Sequence, residues 1–490
     1  MDGNAPIRTQ YFHPASNPAR KQASCAADLT NTIIGGGIGG ASASHFLTEL
    51  SNGNLEIDLY EAKRIGGRLA TVNIGNREPE AGGAVIHPKN MYMQRFVKLL
   101  GLEHNDSSDT KHLFGIWNGD KFVFKESSYS AITLLRILYR YSFQVFKLKR
   151  DTNDMVDNFA KIYKLQDAGK SFENVTALVS AMNKEFPNQM QVSMKDYLLH
   201  MGYTERLIDE VAKATVVVNY GQGTDIQSFV GSVSLAGAGY DLWSVKGGNK
   251  KVPEQLIYRN KNVNVVQSRV IKIRYIADND ESEQYEVTYI NKDSMDLMTA
   301  KYDIVIIAAP LTSDQEFPIE FINFPKKLEF PGHYQTTYAT FLKADIKPKY
   351  FGLHESLDDI FSCDPNKTII SSIGKVGFAN GSSIWKIFSR ESLEPDLIQK
   401  MFSNVDEKMT VVWKAYPHYS SNTPHVNFKL HNALYHVNAI EWAASAMEMS
   451  AIGGRNVAIL AYNDFLQKHG LMSYEETLKD IPIILHNELR

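Results

Sequence analysis

Cysteine is nearly absent: Cys25 and Cys363 are the only two in 490 residues, so neither a disulfide framework nor a multi-thiolate metal centre is available. An excess of one charge is missing too. The chain has 52 Lys and Arg against 55 Asp and Glu, a formal net charge of −3, and such a balance implies no nucleic acid partner. No unbroken apolar run is long enough to cross a bilayer. The best candidate, "AITLLRILYRYSFQVFKL", is interrupted by Arg136 and Arg140. Residues 1 to 30 lack the apolar stretch of a secretory signal and are rich in Pro, Asn, Ser and Ala, which predicts a mobile arm. The histidines His87, His418, His425, His431 and His436 are scattered without ligand spacing, so no metal is expected. No G-x-S-x-G nucleophile motif occurs.

What is present is the composition of an ordinary globular protein, 43% hydrophobic and 22% charged. At 55.2 kDa the chain exceeds one simple core, and two domains are expected. The 24 Tyr and 24 Phe suit either a large core or an apolar cavity.

The most informative stretch is "NTIIGGGIGGASASHF", in which Gly35, Gly37 and Gly40 stand in G-x-G-x-x-G spacing between a strand-like and a helix-like segment. The first glycine permits a tight turn, the second lets backbone approach a pyrophosphate, and the third lets helix pack closely on strand. Glu61, at the end of the next strand "LEIDLYE", is placed to accept hydrogen bonds from a ribose. Together these predict a dinucleotide site.

A second small-residue turn distinguishes the dinucleotide. "AKRIGGRLATV" contributes Gly66, Gly67 and Arg68, and "EPEAGGAVIHP" adds Gly82 and Gly83. Nicotinamide binding requires neither; a flavin dinucleotide uses such a turn at its diphosphate and close backbone approach at its ring. Val270, in "SRVIKI", is a candidate to offer backbone groups to adenine, and "IVIIAAP" ends in the small residues Ala308 and Ala309. Glu441 is read as ending a strand before a small-residue helix that faces the flavin. Nothing around Cys363 suggests covalent attachment, so the expected cofactor is noncovalent FAD.

The pattern along the chain predicts an α/β protein, α+β overall. Its Rossmann-like FAD-binding domain is of the two-dinucleotide-binding-domain flavoprotein type, interleaved with a mixed helical and β-sheet substrate domain. The FAD-binding parts are residues 31–100, 241–311 and 410–470; the substrate parts are the mainly helical 101–240 and then 312–409. Residues 1–30 form the arm and 471–490 a C-terminal extension. The basic segment from Ile132 to Lys149 reads first as a helix buried in a domain and second as one lying on a membrane surface.

Beyond the glycine turns, "EAGGAVIHPKNMYMQRFVKLLGL", "VNYGQGTDIQSFVGSVSL", "KAYPHY" and "AIEWAASAMEMSAIGGRNVA" closely resemble the prenylcysteine oxidase family, also called prenylcysteine lyases. The resemblance spans Ile33 to about Tyr462. It implies an FAD-dependent thioether oxidase that uses molecular oxygen to cleave farnesyl- or geranylgeranyl-cysteine from degraded prenylated proteins. The products would be cysteine, a prenyl aldehyde and hydrogen peroxide. It further implies a lysosomal or vacuolar glycoprotein. The absence of a visible signal leaves the cytoplasm open, and the sequons at Asn105, Asn174, Asn366 and Asn380 are no more than chance supplies. His87, Asn219, Tyr220, Gln222 and Asp225 are the substrate-side candidates, with core packing or turn hydrogen bonding as the alternative for each. Two other functions fit the glycine motifs: a flavin amine oxidase or desaturase-like enzyme on another apolar substrate, and a non-catalytic FAD- or lipid-binding relative.

Overall fold

The computed structural model describes residues 30–105, 112–239, 241–277, 284–292, 294–379, 381–422 and 426–479. The arm before Thr30, Cys25, His425 and the sequon at Asn380 lie outside them.

A six-stranded sheet forms the nucleotide side. In spatial order its strands are Lys429–His431, Leu434–His436, Ile304–Ile307, Thr30–Ile34, Glu56–Tyr60 and Val263–Val266. Every pair is parallel except the first. Ile304–Ile307 is buried throughout, as a fully apolar strand in a parallel sheet covered on both faces should be. Helix α1 (Ile38–Leu50) follows the first strand directly.

A four-stranded sheet of Glu320–Ile322, Ser268–Ile276, Gln284–Asn291 and Leu297–Tyr302 packs on the six-stranded one. Ile34, Tyr60, Val270, Val287 and Val305 share one core between them. A seven-stranded sheet makes the other side, in the order Phe402–Pro417, Tyr334–Ile346, Ser382–Ser389, Ile370–Ala379, Asp359–Ser362, Phe114–Trp117 and Phe122–Lys125.

Strand pairing moves the expected boundaries. Glu320–Ile322 hydrogen-bonds in parallel to Ser268–Ile276, so the nucleotide side continues past 311. The strand Phe402–Pro417 pairs along Tyr334–Ile346, so the substrate sheet continues past 409. Two strands within 101–240, Phe114–Trp117 and Phe122–Lys125, also belong to that sheet.

The segment read as one helix from Ile132 to Lys149 is a hairpin of two, α2 (Ser130–Tyr141) and α3 (Gln144–Phe159). It breaks at Ser142, whose φ of 55° is left-handed. It is not buried either: Tyr141 is the only fully buried residue of α2. The final long helix, α4 (Met447–Lys468), lies across α1. Gly454 allows this approach, since a Cβ there would stand 2.6 Å from the Gly39 carbonyl oxygen and 2.8 Å from Ser42 Cβ.

Candidate functional site

The glycine turn owes its shape to close backbone packing. Gly35 has φ of 110°, and a Cβ there would lie 2.5 Å from the Ala308 carbonyl oxygen. At Gly40 a Cβ would lie 2.0 Å from the Gly35 carbonyl; this glycine faces the strand and does not line the cavity. Gly37 differs from both. A Cβ there would meet only the Gly66 carbonyl, at 4.0 Å, so the free space in front of Gly37 is cavity. The second glycine turn is hydrogen-bonded to the first, Gly66 N–H donating to the Gly36 carbonyl at 2.9 Å. Gly67 stands with its Cβ position 3.4 Å from Gly37 Cα, at φ of 57°.

Glu61 is buried at the end of its strand and accepts from Gly36 N–H at 2.8 Å, Lys63 N–H at 2.7 Å and Arg64 N–H at 3.2 Å. It lines the cavity and retains lone pairs for a further donor. Its place fits the ribose role, and it also fastens the turn.

Arg68 and Glu441 form a bidentate pair deep in the site. Arg68 Nη1 donates to Glu441 Oε2 at 3.0 Å and Nη2 donates to Oε1. Glu441 is fully buried and also accepts from Tyr334 Oη at 2.9 Å and Asn438 Nδ2 at 2.6 Å. Burial opposes the charge of the guanidinium, but the Glu441 carboxylate more than offsets it and holds Arg68 protonated above its ordinary value. The positive charge read at Arg68 is therefore partly neutralised within the protein. Glu441 sits in a 3-10 turn, Val437–Trp442, rather than at the end of a strand, because that strand stops at His436.

These residues border a cavity of about 730 Å³ between the nucleotide side and the seven-stranded sheet, within the range of cofactor and ligand sites. Gly35, Gly37, Glu61, Gly67, Arg68, Gly82, Gly83 and Glu441 all line it, as do Ala308 and Ala309. Gly82 has a protein reason to be small, its Cβ position being 1.8 Å from the Arg68 carbonyl oxygen. Val270 lies off the wall, buried in the core between the two sheets. The small start of α4 supplies Ser445, Ala446 and Ser450 to the wall. Gly453 and Gly454 instead serve packing against the 3-10 turn and α1.

The substrate-side candidates divide. His87, Asn219 and Tyr220 line the cavity. Burial, then the nearby Lys89 charge, lowers the pKa of His87, and its Nδ1 accepts from Lys89 N–H at 3.0 Å. Asn219 Nδ2 donates to Ser234, at 2.9 Å to Oγ. Tyr220 Oη donates to the Ser445 carbonyl at 3.1 Å, tying the helical part to the start of α4. Gln222 and Asp225 do not line it. Gln222 is buried and holds a turn, donating to the Pro417 carbonyl at 3.2 Å and accepting from Tyr419 N–H at 2.8 Å; Asp225 is exposed.

Several elements supply wall residues without any role read from sequence, two of them with bulky side chains that close the apolar part. α3 presents Met155, Val156 and Phe159, and the end of the strand Phe402–Pro417 presents Trp413 and Tyr416. Tyr416 packs edge-on against Tyr220 with ring centroids 5.0 Å apart, and burial pushes its pKa up to about 12. "KAYPHY" is the visible signal for Tyr416, but only the fold shows that Tyr416 lines the cavity while Tyr419 is buried behind it.

A cradle that a Cβ at Gly37 would fill, a buried carboxylate at the following strand and a long, largely apolar cavity define a two-domain, Rossmann-like oxidoreductase fold with room for a flavin dinucleotide. Comparison agrees. Residues 33–100 match the NAD(P)-binding Rossmann-like domain family. A putrescine oxidase triple mutant redesigned for cofactor binding superimposes with a TM-score of 0.58 at 12% identity, covering 88% of this chain and 98% of that one. Wild-type putrescine oxidase bound to putrescine gives 0.52 at 13%. Residues 124–474 match the prenylcysteine lyase family. The chain is 37% identical over 451 residues to prenylcysteine oxidase 1 of Bos taurus, covering 88% of each chain. Against prenylcysteine oxidase 1-like of Homo sapiens it is 32% identical over 459 residues, covering 89% of this chain and 90% of that one. The protein belongs to the prenylcysteine lyase family.

Proposed function

We propose that the protein is an FAD-dependent oxidase that cleaves the thioether of farnesyl- or geranylgeranyl-cysteine. The observation that carries this reading is one cavity shared by the Gly37 cradle and an apolar wall of Met155, Val156 and Phe159, in a chain of this family. The balance is thioether plus water plus dioxygen giving cysteine, prenyl aldehyde and hydrogen peroxide. When bound, FAD supplies a two-electron hydride acceptor that dioxygen regenerates.

The turns at Gly35–Gly37 and Gly66–Gly67 would hold the diphosphate and Glu61 the adenosine ribose. The wall fits the rest of the chemistry. Removing a hydride from the carbon between sulfur and an alkene needs orientation more than a base, because the positive charge that develops is shared by both neighbours. The cavity offers no obvious base. Burial raises the pKa of Tyr220 and Tyr416, so both stay protonated, and His87 is occupied by Lys89 N–H. Tyr220, Tyr416 and Trp413 act as rigid walls that fix the apolar chain, and no ionised side chain is needed at the reacting carbon.

Noncovalent retention is supported by Cys363, which is buried away from the cavity and whose thiol burial pushes up to about 11. The flavin should leave the protein on acid precipitation; yellow colour in the pellet would mean a covalent link. For the compartment, our reading is the lysosome or vacuole, where prenylated proteins are degraded. Colocalisation with a lysosomal marker tests it, and a diffuse cytoplasmic signal would replace it.

The deciding experiment for the activity is an anaerobic absorbance titration. Farnesylcysteine should bleach the flavin, and air should restore it with one peroxide per thioether cleaved. Bleaching by putrescine but not by farnesylcysteine would make the protein an amine oxidase. Bound flavin reduced by neither would leave a non-catalytic binding protein.

A further inference from the structure

The α2–α3 hairpin carries seven large apolar side chains on the outside of the molecule: Tyr129, Ile132, Leu134, Leu135, Tyr139, Phe143 and Phe146 are all exposed. Tyr139 is 95% exposed, Phe143 73% and Leu135 65%. Ile132, Leu135 and Tyr139 recur at helical spacing along one side of α2, and Phe143 and Phe146 continue the patch over the turn, their rings 6.4 Å apart. Apolar surface of this kind concentrated on one element marks an interaction site.

Charge indicates what covers it. From Ser127 to Arg150 the chain has no Asp or Glu but carries Arg136, Arg140, Lys147, Lys149 and Arg150. Arg140 is engaged inward by Glu210 and Lys147 by the Met201 carbonyl, and Arg150 pairs with Asp151 just past the segment, which leaves exposed Lys149 and Arg136, the latter donating one hydrogen bond to the Lys125 carbonyl. Apolar side chains beside the exposed cations Arg136 and Lys149, with no acid between Ser127 and Arg150, match the boundary between acyl chains and anionic headgroups. No helix among the described residues is long and apolar enough to cross a membrane, so contact would be from one side only.

Position supplies the third argument. α3 begins at the patch with Phe146 and ends on the cavity wall with Met155, Val156 and Phe159. The same helix therefore touches both the exposed apolar surface and the site. We propose that the α2–α3 hairpin docks the protein on the surface of an anionic lipid bilayer, beside the wall of the cavity. The docking itself stands without the proposed chemistry.

The test is flotation of the full-length, flavin-loaded protein with vesicles of phosphatidylcholine alone and of phosphatidylcholine with phosphatidylserine. Wild type should float with the mixed vesicles and less with the neutral ones. The triple variant Leu135→Asp, Tyr139→Asp, Phe143→Asp should bind the mixed vesicles roughly tenfold more weakly or worse. Arg136→Gln with Lys149→Gln should lose the preference for phosphatidylserine. Because these side chains are exposed, flavin absorbance and thermal midpoint should not move; the single variant Tyr139→Ser, also expected to bind more weakly, covers the case in which the triple does not fold. Wild type that ignores phosphatidylserine vesicles, or variants that float as wild type does, would overturn the proposal. So would a wild-type dimer that the triple variant converts to monomer, since the patch would then be covered by a second copy. The readout is vesicle binding, so its failure leaves the thioether chemistry standing.

Discussion

Gly37 and Gly40 occupy one motif and predict different failures. A side chain at Gly37 has free space and a nearest contact at 4.0 Å, whereas one at Gly40 meets the Gly35 carbonyl at 2.0 Å. Gly37→Val should therefore give a folded but colourless protein, with normal circular dichroism and no flavin absorbance; a yellow variant would show the turn is not the diphosphate site. Glu441→Gln should destabilise by about 1–3 kcal/mol, because it removes the charge-assisted partner of Arg68, whose side chain is itself only partly buried, read as a lowered denaturation midpoint. His436 makes a pH prediction. Burial pushes it down to about 4, against an attraction from Glu441 that raises it, and its Nε2 has no hydrogen-bond partner among the described residues. An imidazole that stays neutral when folded binds fewer protons than the unfolded chain between its folded value and about 6.5. Stability from this group is thus present above about pH 6.5 and falls away toward pH 4. Thermal midpoints measured across that range should fall less in His436→Leu than in wild type.

At the scale of elements, the contact between α1 and α4 holds the site together. Gly39, in the first turn of α1, lies under Gly454, so Gly454→Val must push the two helices apart. Overpacking of this kind costs about 1–3 kcal/mol, and here it also moves the turn that carries Gly37. The expected outcome is a lower thermal midpoint together with faster flavin loss on dilution; a loss of stability with unchanged flavin retention would separate the packing from the site. Legibility in the sequence followed the same elements. The strand–turn–helix at Thr30–Leu50 is readable because Gly35 and Gly40 answer close backbone contacts while Gly37 keeps the cavity open, and Ile304–Ile307 because a buried parallel strand is continuously apolar. The α2–α3 hairpin reads in sequence as one helix, buried first and membrane-facing second, since its apolar spacing is that of a core helix and periodicity does not say which side faces water. Gln222 and Asp225 shared a distinctive segment with Asn219 and Tyr220, but the helix ends at Tyr220, and the turn beyond it carries the later residues away from the wall.

On the scale of the whole molecule, neither side is a continuous piece of chain. The boundaries expected at 311 and 409 failed because sheet membership is decided by long-range pairing, as with Glu320–Ile322 on Ser268–Ile276, and composition carries no record of partners. A chain ending at Pro417 keeps the glycine turns but lacks the strand Leu434–His436 beside Ile304–Ile307 and the whole of α4. It should be insoluble or flavin-free when expressed alone; a soluble yellow fragment would show that the nucleotide side is complete without them.

The pairing of Arg68 with Glu441 has a consequence in time. A ribosome making this protein delivers the guanidinium 373 residues before the carboxylate that pairs with it. Until then the nascent turn bears an unneutralised cation and half a cradle, so the vitamin-derived prosthetic group meets a complete site only on a chain already extended through Glu441.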